Sequence, residues 1–439
     1  MSIVEIVNVE HHPLDYDELV DGHLDAPLAG AQNDVYAVDL VGWVLGRKSP
    51  VRTLEVWSPE IAPFWRFVDL SSVRRIPLTV DRPDVTACYP ISAGITCGFS
   101  SSLGVLGTPL EFECLLQVIL EDGASVPLAT VRVKREALRS GFEPTLQPLM
   151  LTGLGRSGST WLMRLLAEHP QIVVLRRFED TRAAGYWMDM AQILSQPALP
   201  AQPMAFTSSD GWSVRQNPLY GPPITDDPKT RLWLGRGYPE QLAAFCQQAV
   251  EQLYVHTAQC QQQSEPRYFA EKSDPSAAWL TRELYPDMRE IFLVRDFRDL
   301  VCSILAFDAK RGFFGFGRRP EDSDADYIRR FRLWTINLCR AWRHQADRAH
   351  LLRYEDLVRN PVESIQRALE YLHLDASPAL VRRMLDGVDA DSAALIDHRT
   401  SASALASIGR WRRDLPAEIQ EVCQEVLADA LREFGYDPA

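Results

Sequence analysis

Leu149–Leu166 reads LMLTGLGRSGSTWLMRLL, and this stretch decides the fold of the larger part of the chain. A short apolar run, Leu149–Thr152, leads into a turn carrying Gly153, Gly155 and Gly158, and a helical pattern follows from Trp161. The glycines let the backbone bend so that successive N–H groups point inward. A helix start adds about half a positive charge at the same place. Ser157, Ser159 and Thr160 add hydroxyl donors, and Arg156 adds a full positive charge. The segment therefore reads as a cradle for a phosphate or sulfate. The bland alternative is a Gly-rich turn leading into a well-capped helix.

Working outward, short apolar runs alternate with helical patterns at Leu149–Thr152, Ile172–Leu175, Ile291–Val294 and His350–Arg353. This alternation predicts an α/β domain over 149–439, with a P-loop-like parallel sheet covered by helices on both faces. Val362, Ile365, Leu369 and Leu372 recur at helical spacing, so Pro361–Leu374 reads as an amphipathic helix opening on proline. Pro416–Phe434 reads as a final helix, and the Pro-rich Pro197–Pro228 as a loop over the site. Ser140–Pro148 has two prolines, one glycine and no period, and reads as a linker. Upstream, residues 1–139 predict a small all-β sandwich. Its strands are Val35–Val44, Val51–Trp57, Val73–Val80, Glu111–Leu120 and Ser125–Lys134, with a hairpin turn at Glu121-Asp122-Gly123. His11 and His12 fall in a polar stretch read as loose, and no catalytic constellation is visible there.

The 439 residues are 46% hydrophobic and 24% charged, which suits two or three globular domains and excludes wholesale disorder. The net charge of −13 argues against nucleic acid as a partner, since that needs a basic footprint, but leaves room for a local anion pocket. Met1–Glu10 has two acids and no basic residue, unlike a secretory signal, and no apolar run reaches membrane-spanning length. The eight cysteines are scattered, with no CxxC pair and no zinc spacing, so the expectation is reduced thiols, a cytoplasmic protein and no metal.

The spacing from Gly153 to Gly158 matches the nucleotide-binding form GxxxxGK[ST], but Ser159 stands where a nucleoside triphosphatase needs lysine. The cation is Arg156, inside the loop, which points away from nucleotide hydrolysis. A second motif lies in Arg289–Phe307, REIFLVRDFRDLVCSILAF. Arg295 follows the apolar run, at the end of a strand where open α/β sheets bind ligands. A helix is expected from about Phe297, with Leu300, Ile304 and Phe307 on one face and Ser303 two turns in. Arg295 and Ser303 are thus placed to meet one anion; the bland alternative pairs Arg295 with Asp296 or Asp299.

Arg156-Ser157-Gly158-Ser159-Thr160-Trp161 fits [KR]SG[TS]TW, and Arg295, Asp299 and Ser303 fit RxxxDxxxS. On these motifs, from about Leu149 to Asp437, the chain resembles the sulfotransferases that use 3′-phosphoadenosine-5′-phosphosulfate (PAPS), among them bacterial members related to the tyrosylprotein and carbohydrate branch. Phe297 stands where that family usually has proline. The resemblance implies that Gly155–Trp161 cradles the 5′-phosphosulfate, with Arg156 on the 5′-phosphate and bridging oxygen, and that Arg295 and Ser303 take the 3′-phosphate. Tyr268–Pro275, YFAEKSDP, resembles an EK[ST]P segment with Asp274 inserted, and makes Lys272 the cation over the sulfuryl group. Arg176–Arg182, RRFEDTR, offers Asp180 or Glu179 as the carboxylate base. Leu351–Pro361 resembles a scaffold segment of the family. Thr400–Leu415 resembles the loop that closes on the 3′-phosphate, through Ser407, Gly409, Arg410 and Trp411.

The expected activity is in-line, metal-free sulfuryl transfer from PAPS to a hydroxyl, less readily an amine, of a saccharide, lipid, peptide or secondary metabolite. A P-loop kinase is the first rival; a non-catalytic carbohydrate-binding protein with a degenerate transferase domain is the second. The N-terminal domain is expected to position the acceptor or to serve assembly, which leaves the oligomeric state open.

Overall fold

Side chains alternate between buried and exposed along Glu111–Leu120, with Phe112, Cys114, Leu116, Val118 and Leu120 all inside. That period of two commits the segment to a strand with one face on a core. The computed structural model describes residues 2–58, 74–89, 94–176, 179–195, 204–207, 213–215, 227–275, 279–388 and 399–438. Two compact units emerge, one comprising Met1–Phe142, Tyr186–Gln248 and Trp279–Leu284, the other Glu143–Gly185, Ala249–Ala278 and Tyr285–Ala439.

In the first unit the strands are β1 (Val4–His11), β2 (Leu19–Ala26), β3 (Gln32–Asn33), β4 (Ala37–Gly46), β5 (Val51–Trp57), β6 (Arg74–Ile76), β7 (Gly98–Gly104), β8 (Glu111–Leu120) and β9 (Ser125–Arg135). They form two antiparallel sheets, ordered β3-β1-β9-β8-β5-β6 and β2-β4-β7. The turn between β8 and β9 places Gly123 at φ 92°, a left-handed conformation that favours glycine. The N-terminal stretch read as loose is β1: its polar side chains hid the backbone pairing with β9, and His12 Nε2 lies 2.8 Å from Thr130 Oγ1. Val73 lies outside the described residues, and so does most of Pro197–Pro228, where Met204–Thr207 and Ser213–Arg215 pair as an antiparallel hairpin.

The unit is not all-β and does not stop at residue 139. It takes in the helix Trp279–Leu284 and the first part of the helix Tyr238–Cys260. Linear patterns mark where a texture changes, not which core a later helix joins. Glu283 shows the physical reason. It accepts from Arg135 Nη1 (2.9 Å) and Nη2 (2.6 Å), and its side chain and that of Arg135 are only 7% and 1% exposed.

The second unit is built on β10 (Gln147–Thr152), β11 (Ile172–Val173), β12 (Tyr268–Ser273), β13 (Arg289–Val294) and β14 (His350–Arg353). All five run parallel, in the order β11-β12-β10-β13-β14. Ile291 and Leu293 of β13 pack with Leu162, Ile365 and Val381, whereas Phe292 and Val294 pack with Phe297, Ile328 and Leu427. Alternate residues of one strand thus feed two cores, and helices cover both faces of the sheet. The chain leaves β10 toward β11 and later returns on its other side as β13, so the C-terminal end of β10 is the switch point where such sheets bind ligands. Helices Pro361–Tyr371 and Ala417–Glu433 lie where helical spacing predicts them. Among the described residues no helix is long and apolar enough to cross a membrane. The eight cysteines are free thiols, six of them buried.

Glu283→Ala strands the Arg135 guanidinium in the interior of the first unit and is expected to cost about 3 kcal/mol of unfolding free energy. Urea denaturation measures this, and a loss under about 1 kcal/mol, the range of an exposed pair, would show that the helix Trp279–Leu284 does not depend on it.

Candidate functional site

The Gly-rich loop leaves the end of β10 and reaches the helix Ser159–Leu166 through two left-handed residues, Arg156 at φ 71° and Gly158 at φ 97°. A Cβ at Gly158 would meet the Tyr354 ring at 2.6 Å. Glycine is therefore required there both for its φ and for the close approach. The positive φ at Arg156 accompanies a side chain turned back over the helix Phe297–Arg311. Its guanidinium lies 4.1 Å from the Phe307 ring centroid, and its Nε donates to Ser303 Oγ at 3.2 Å. Burial, then the neighbouring Arg295 and Arg311 cations, push the Arg156 pKa down to about 10.

Arg295 stands one residue beyond β13. It donates from Nη1 to Arg156 O (3.2 Å) and from Nη2 to Ser407 O (2.9 Å), and it stacks over Tyr354 at 4.6 Å. Its Nε is buried without a hydrogen-bond partner among the described residues. Neither nearby acid pairs with it: Asp296 takes Arg298 (2.9 Å), and Asp299 takes backbone N–H groups. The pocket between these elements is lined by Arg156, Arg295 and Arg399, by the hydroxyl-bearing residues Ser159, Thr160, Ser303, Thr400, Ser401, Ser403 and Ser407, and by Gly158, Trp161, Tyr354 and Ala404. No carboxylate is among these described lining residues. Three arginines thus line one space that has no carboxylate among its described lining residues, an arrangement suited to an anion.

Asp299, Ser303 and Phe307 recur every four residues along one side of the helix Phe297–Arg311, and Arg295 stands just before its N-cap Asp296. Asp299 Oδ2 accepts from Gly409 N at 2.6 Å and Oδ1 from Trp411 N at 3.0 Å. Burial pushes the Asp299 carboxyl up to about 6 against the pull of those two amides. Of the residues expected on the anion, Gly158, Ser159, Thr160, Trp161, Arg156, Arg295, Ser303 and Ser407 line the pocket, but Gly155, Ser157, Gly409, Arg410 and Trp411 do not. Gly155 instead faces the Phe316 ring, Ser157 is buried, and Trp411 is a core residue under the Arg298 guanidinium. Arg410 holds Thr400 O (2.9 Å) and Asp414 Oδ2 (2.8 Å). Arg399, Thr400 and Tyr354 are lining residues that sequence reasoning did not assign. Their only linear signal is a position inside or beside the two weaker motif segments.

At the other end of the cradle, Lys272 on β12 donates from Nζ to Thr160 Oγ1 (2.9 Å) and to Asp180 Oδ1 (2.5 Å). Lys272 is buried and Asp180 is exposed. Glu179 points elsewhere, to Arg164 Nε at 2.9 Å. Of the two acids left open in the sequence, Asp180 is the one that meets Lys272. His169 is buried behind the helix end, where Gln171 N donates to its Nδ1 at 3.2 Å.

Glu271 is the residue the sequence reading passed over. It precedes Lys272 on the strand, so it faces the opposite side. Fully buried, it accepts from Ala183 N (2.9 Å) and Ala184 N (3.0 Å), while Lys272 N donates to Thr181 O at 3.1 Å. The loop that carries Asp180 is therefore pinned to β12 from both sides. Burial pushes the Glu271 carboxyl up to about 7, with the two amides opposing.

The folded chain holds the Glu271 proton to higher pH than the unfolded chain, whose carboxyl titrates near 4.5. Unfolding free energy is therefore expected to fall as pH rises from about 4.5 to about 7, by roughly 3 kcal/mol. Glu271→Gln should remove that part of the slope and leave what Asp299 contributes below about pH 6. Urea unfolding at a series of pH values measures both, and parallel profiles for the two proteins would show that Glu271 titrates as an ordinary exposed carboxyl.

Residues 148–378, just over half of the chain, match the model of the sulfotransferase family. A carbohydrate sulfotransferase 3 from Tetronarce californica is 26% identical over 173 residues, 36% of this chain and 38% of that protein. The match thus spans about two-fifths of the relative's length. Among solved structures, a sulfotransferase domain from the curacin biosynthetic pathway covers 67% of this chain and 99% of its own, at 15% identity and a TM-score of 0.38. A mouse sulfotransferase complexed with PAP covers 67% of this chain and 87% of its own, at 11% identity and a TM-score of 0.35. With the family's model matched over the Gly-rich loop, the Asp180–Lys272 pair and the Arg295 strand, the chain belongs to the sulfotransferase family.

Proposed function

We propose that the chain moves a sulfuryl group from PAPS to a hydroxyl of an acceptor, a saccharide by preference. The observation that carries this reading is the arginine-lined pocket, with no carboxylate among its described lining residues, joined through Thr160 to the Lys272–Asp180 pair. The residues fit a doubly anionic nucleotide. Arg295 Nε is a buried donor with no hydrogen-bond partner among the described residues, and glycine at 158 lets the loop lie against the Tyr354 ring, which a Cβ would meet at 2.6 Å. Arg156, Ser159 and Thr160 would hold the 5′ end, and Arg295, Ser303, Ser407 and Arg399 the 3′-phosphate. Bound there, PAPS supplies a sulfuryl group and leaves as adenosine 3′,5′-bisphosphate.

Asp180 takes the proton from the acceptor hydroxyl, and the acceptor oxygen forms the new bond to sulfur as the bond to the 5′-phosphate oxygen breaks. Lys272 does two things at once. It fixes the Asp180 carboxylate, and it sets a positive charge at the end of the cradle, where the leaving oxygen gains negative charge. Arg156 serves the same charge from within the loop. The preference for a saccharide rests on the similarity to a carbohydrate sulfotransferase. A kinase reading finds Ser159 where it needs lysine.

Lys272→Ala and Asp180→Asn are expected to lower sulfate transfer about 100- to 1000-fold while adenosine 3′,5′-bisphosphate affinity stays within a few-fold of wild type. Labelled transfer to a saccharide panel and calorimetry measure the two effects. Tighter binding of Mg-ATP than of adenosine 3′,5′-bisphosphate by the wild-type chain would overturn the reading.

A further inference from the structure

We infer that Asp299 is a positioning residue whose carboxylate clamps the segment 399–411 into the wall of the anion pocket and so sets how tightly that pocket holds its ligand; this rests on the nucleotide reading of the pocket. Asp299 is fully buried and does not line the pocket. Its two oxygens accept from two amides of one segment, Gly409 N and Trp411 N. Gly409 at φ 67° is the bend that turns both amides toward one carboxylate.

What the clamp controls can be followed atom by atom. Arg410 sits between the two held amides, and from there its Nη1 donates to Thr400 O (2.9 Å) and Thr400 Oγ1 (3.1 Å). Thr400 Oγ1 also meets Ser303 Oγ at 3.2 Å. Arg399, Thr400 and Ser401 line the pocket, so their place follows from Arg410, and that of Arg410 from Asp299. On the near side, the Ser407 carbonyl accepts from Arg295 Nη2, and its Oγ lies 3.1 Å from Tyr354 OH. The requirement is for a carboxylate. An ionised Asp offers only acceptors, one per amide, whereas Asn would turn an NH2 donor against one of the two N–H groups. The negative charge is also buried and is not among the described pocket-lining residues.

The test uses the full chain with Asp299→Asn and Asp299→Glu, the second keeping the charge but moving it by one methylene. Calorimetry with adenosine 3′,5′-bisphosphate is read beside hydrogen exchange at the amides of Gly409 and Trp411. We expect affinity to fall at least tenfold in Asp299→Asn, the KM for PAPS to rise more than kcat falls, and exchange at both amides to speed up while β13 stays protected. If Asp299→Asn fails to fold, Asp299→Glu is judged on the same readouts, with partial recovery of affinity expected relative to an Asp299→Ala control. Affinity within twofold of wild type in the folded variant, or unchanged exchange at Gly409 and Trp411, overturns the clamp. A wild-type chain that does not bind the nucleotide at all would instead overturn the proposed function, while the exchange arm still judges the clamp.

Discussion

Like charges held together in a partly desolvated pocket repel one another, and the rest of the second unit is arranged around that constraint. Arg156 and Arg295 both line one space with Arg399, and the Arg156 pKa is pushed down by burial and by its cationic neighbours. Such an arrangement is costly unless something else holds the guanidinium groups in place. Here backbone carbonyls and aromatic faces do so: Arg295 gives its Nη atoms to Arg156 O and Ser407 O and lies over Tyr354, and Arg156 lies over Phe307. These partners are uncharged, so they fix position without forming an ion pair of their own.

The acids at this edge of the sheet are kept out of the pocket by having other work. Asp296 pairs with Arg298, and Asp299 takes two amides. Glu355 accepts from Asp296 N (3.0 Å) and from Tyr436 OH (2.7 Å). Asp308 accepts from Gly315 N at 3.0 Å. Asp180, at the Lys272 end of the cradle, is exposed and tied to Lys272. A single helix organises much of this, because a step of four residues puts Asp299, the Ser303 hydroxyl and the Phe307 ring along one side, with Arg295 just ahead of its N-cap.

The two strong motifs were legible because each couples a local backbone pattern to a charged residue. Apolar runs gave β10 and β13, and glycines gave the turn, so the parallel sheet and the ends of its strands could be placed from linear order. The weaker segments were not so readable. In Thr400–Leu415 the resemblance singled out Ser407, Gly409, Arg410 and Trp411 for a phosphate, with no local pattern to tell pocket from core. Only packing shows that Ser407 faces the pocket, that Trp411 is core, and that Arg410 reaches back to Thr400. Glu271 was invisible for a related reason: a carboxylate one residue from a lysine looks like a surface pair until the strand turns it inward to the Ala183 and Ala184 amides.

By itself, the amino-acid order determined the strand–turn–helix cradle, the cation inside it and the second arginine at a strand end, because these depend on residues close in the chain and on the periods of helix and strand. Tertiary structure alone decided that Asp180 and not Glu179 meets Lys272, that Asp299 serves the backbone of a segment 110 residues away, and that Trp279–Leu284 joins the first unit. Those outcomes turn on which side chains share a buried space. Burial makes an unpaired charge or amide expensive, and only the folded chain shows which partners are near enough to meet the need.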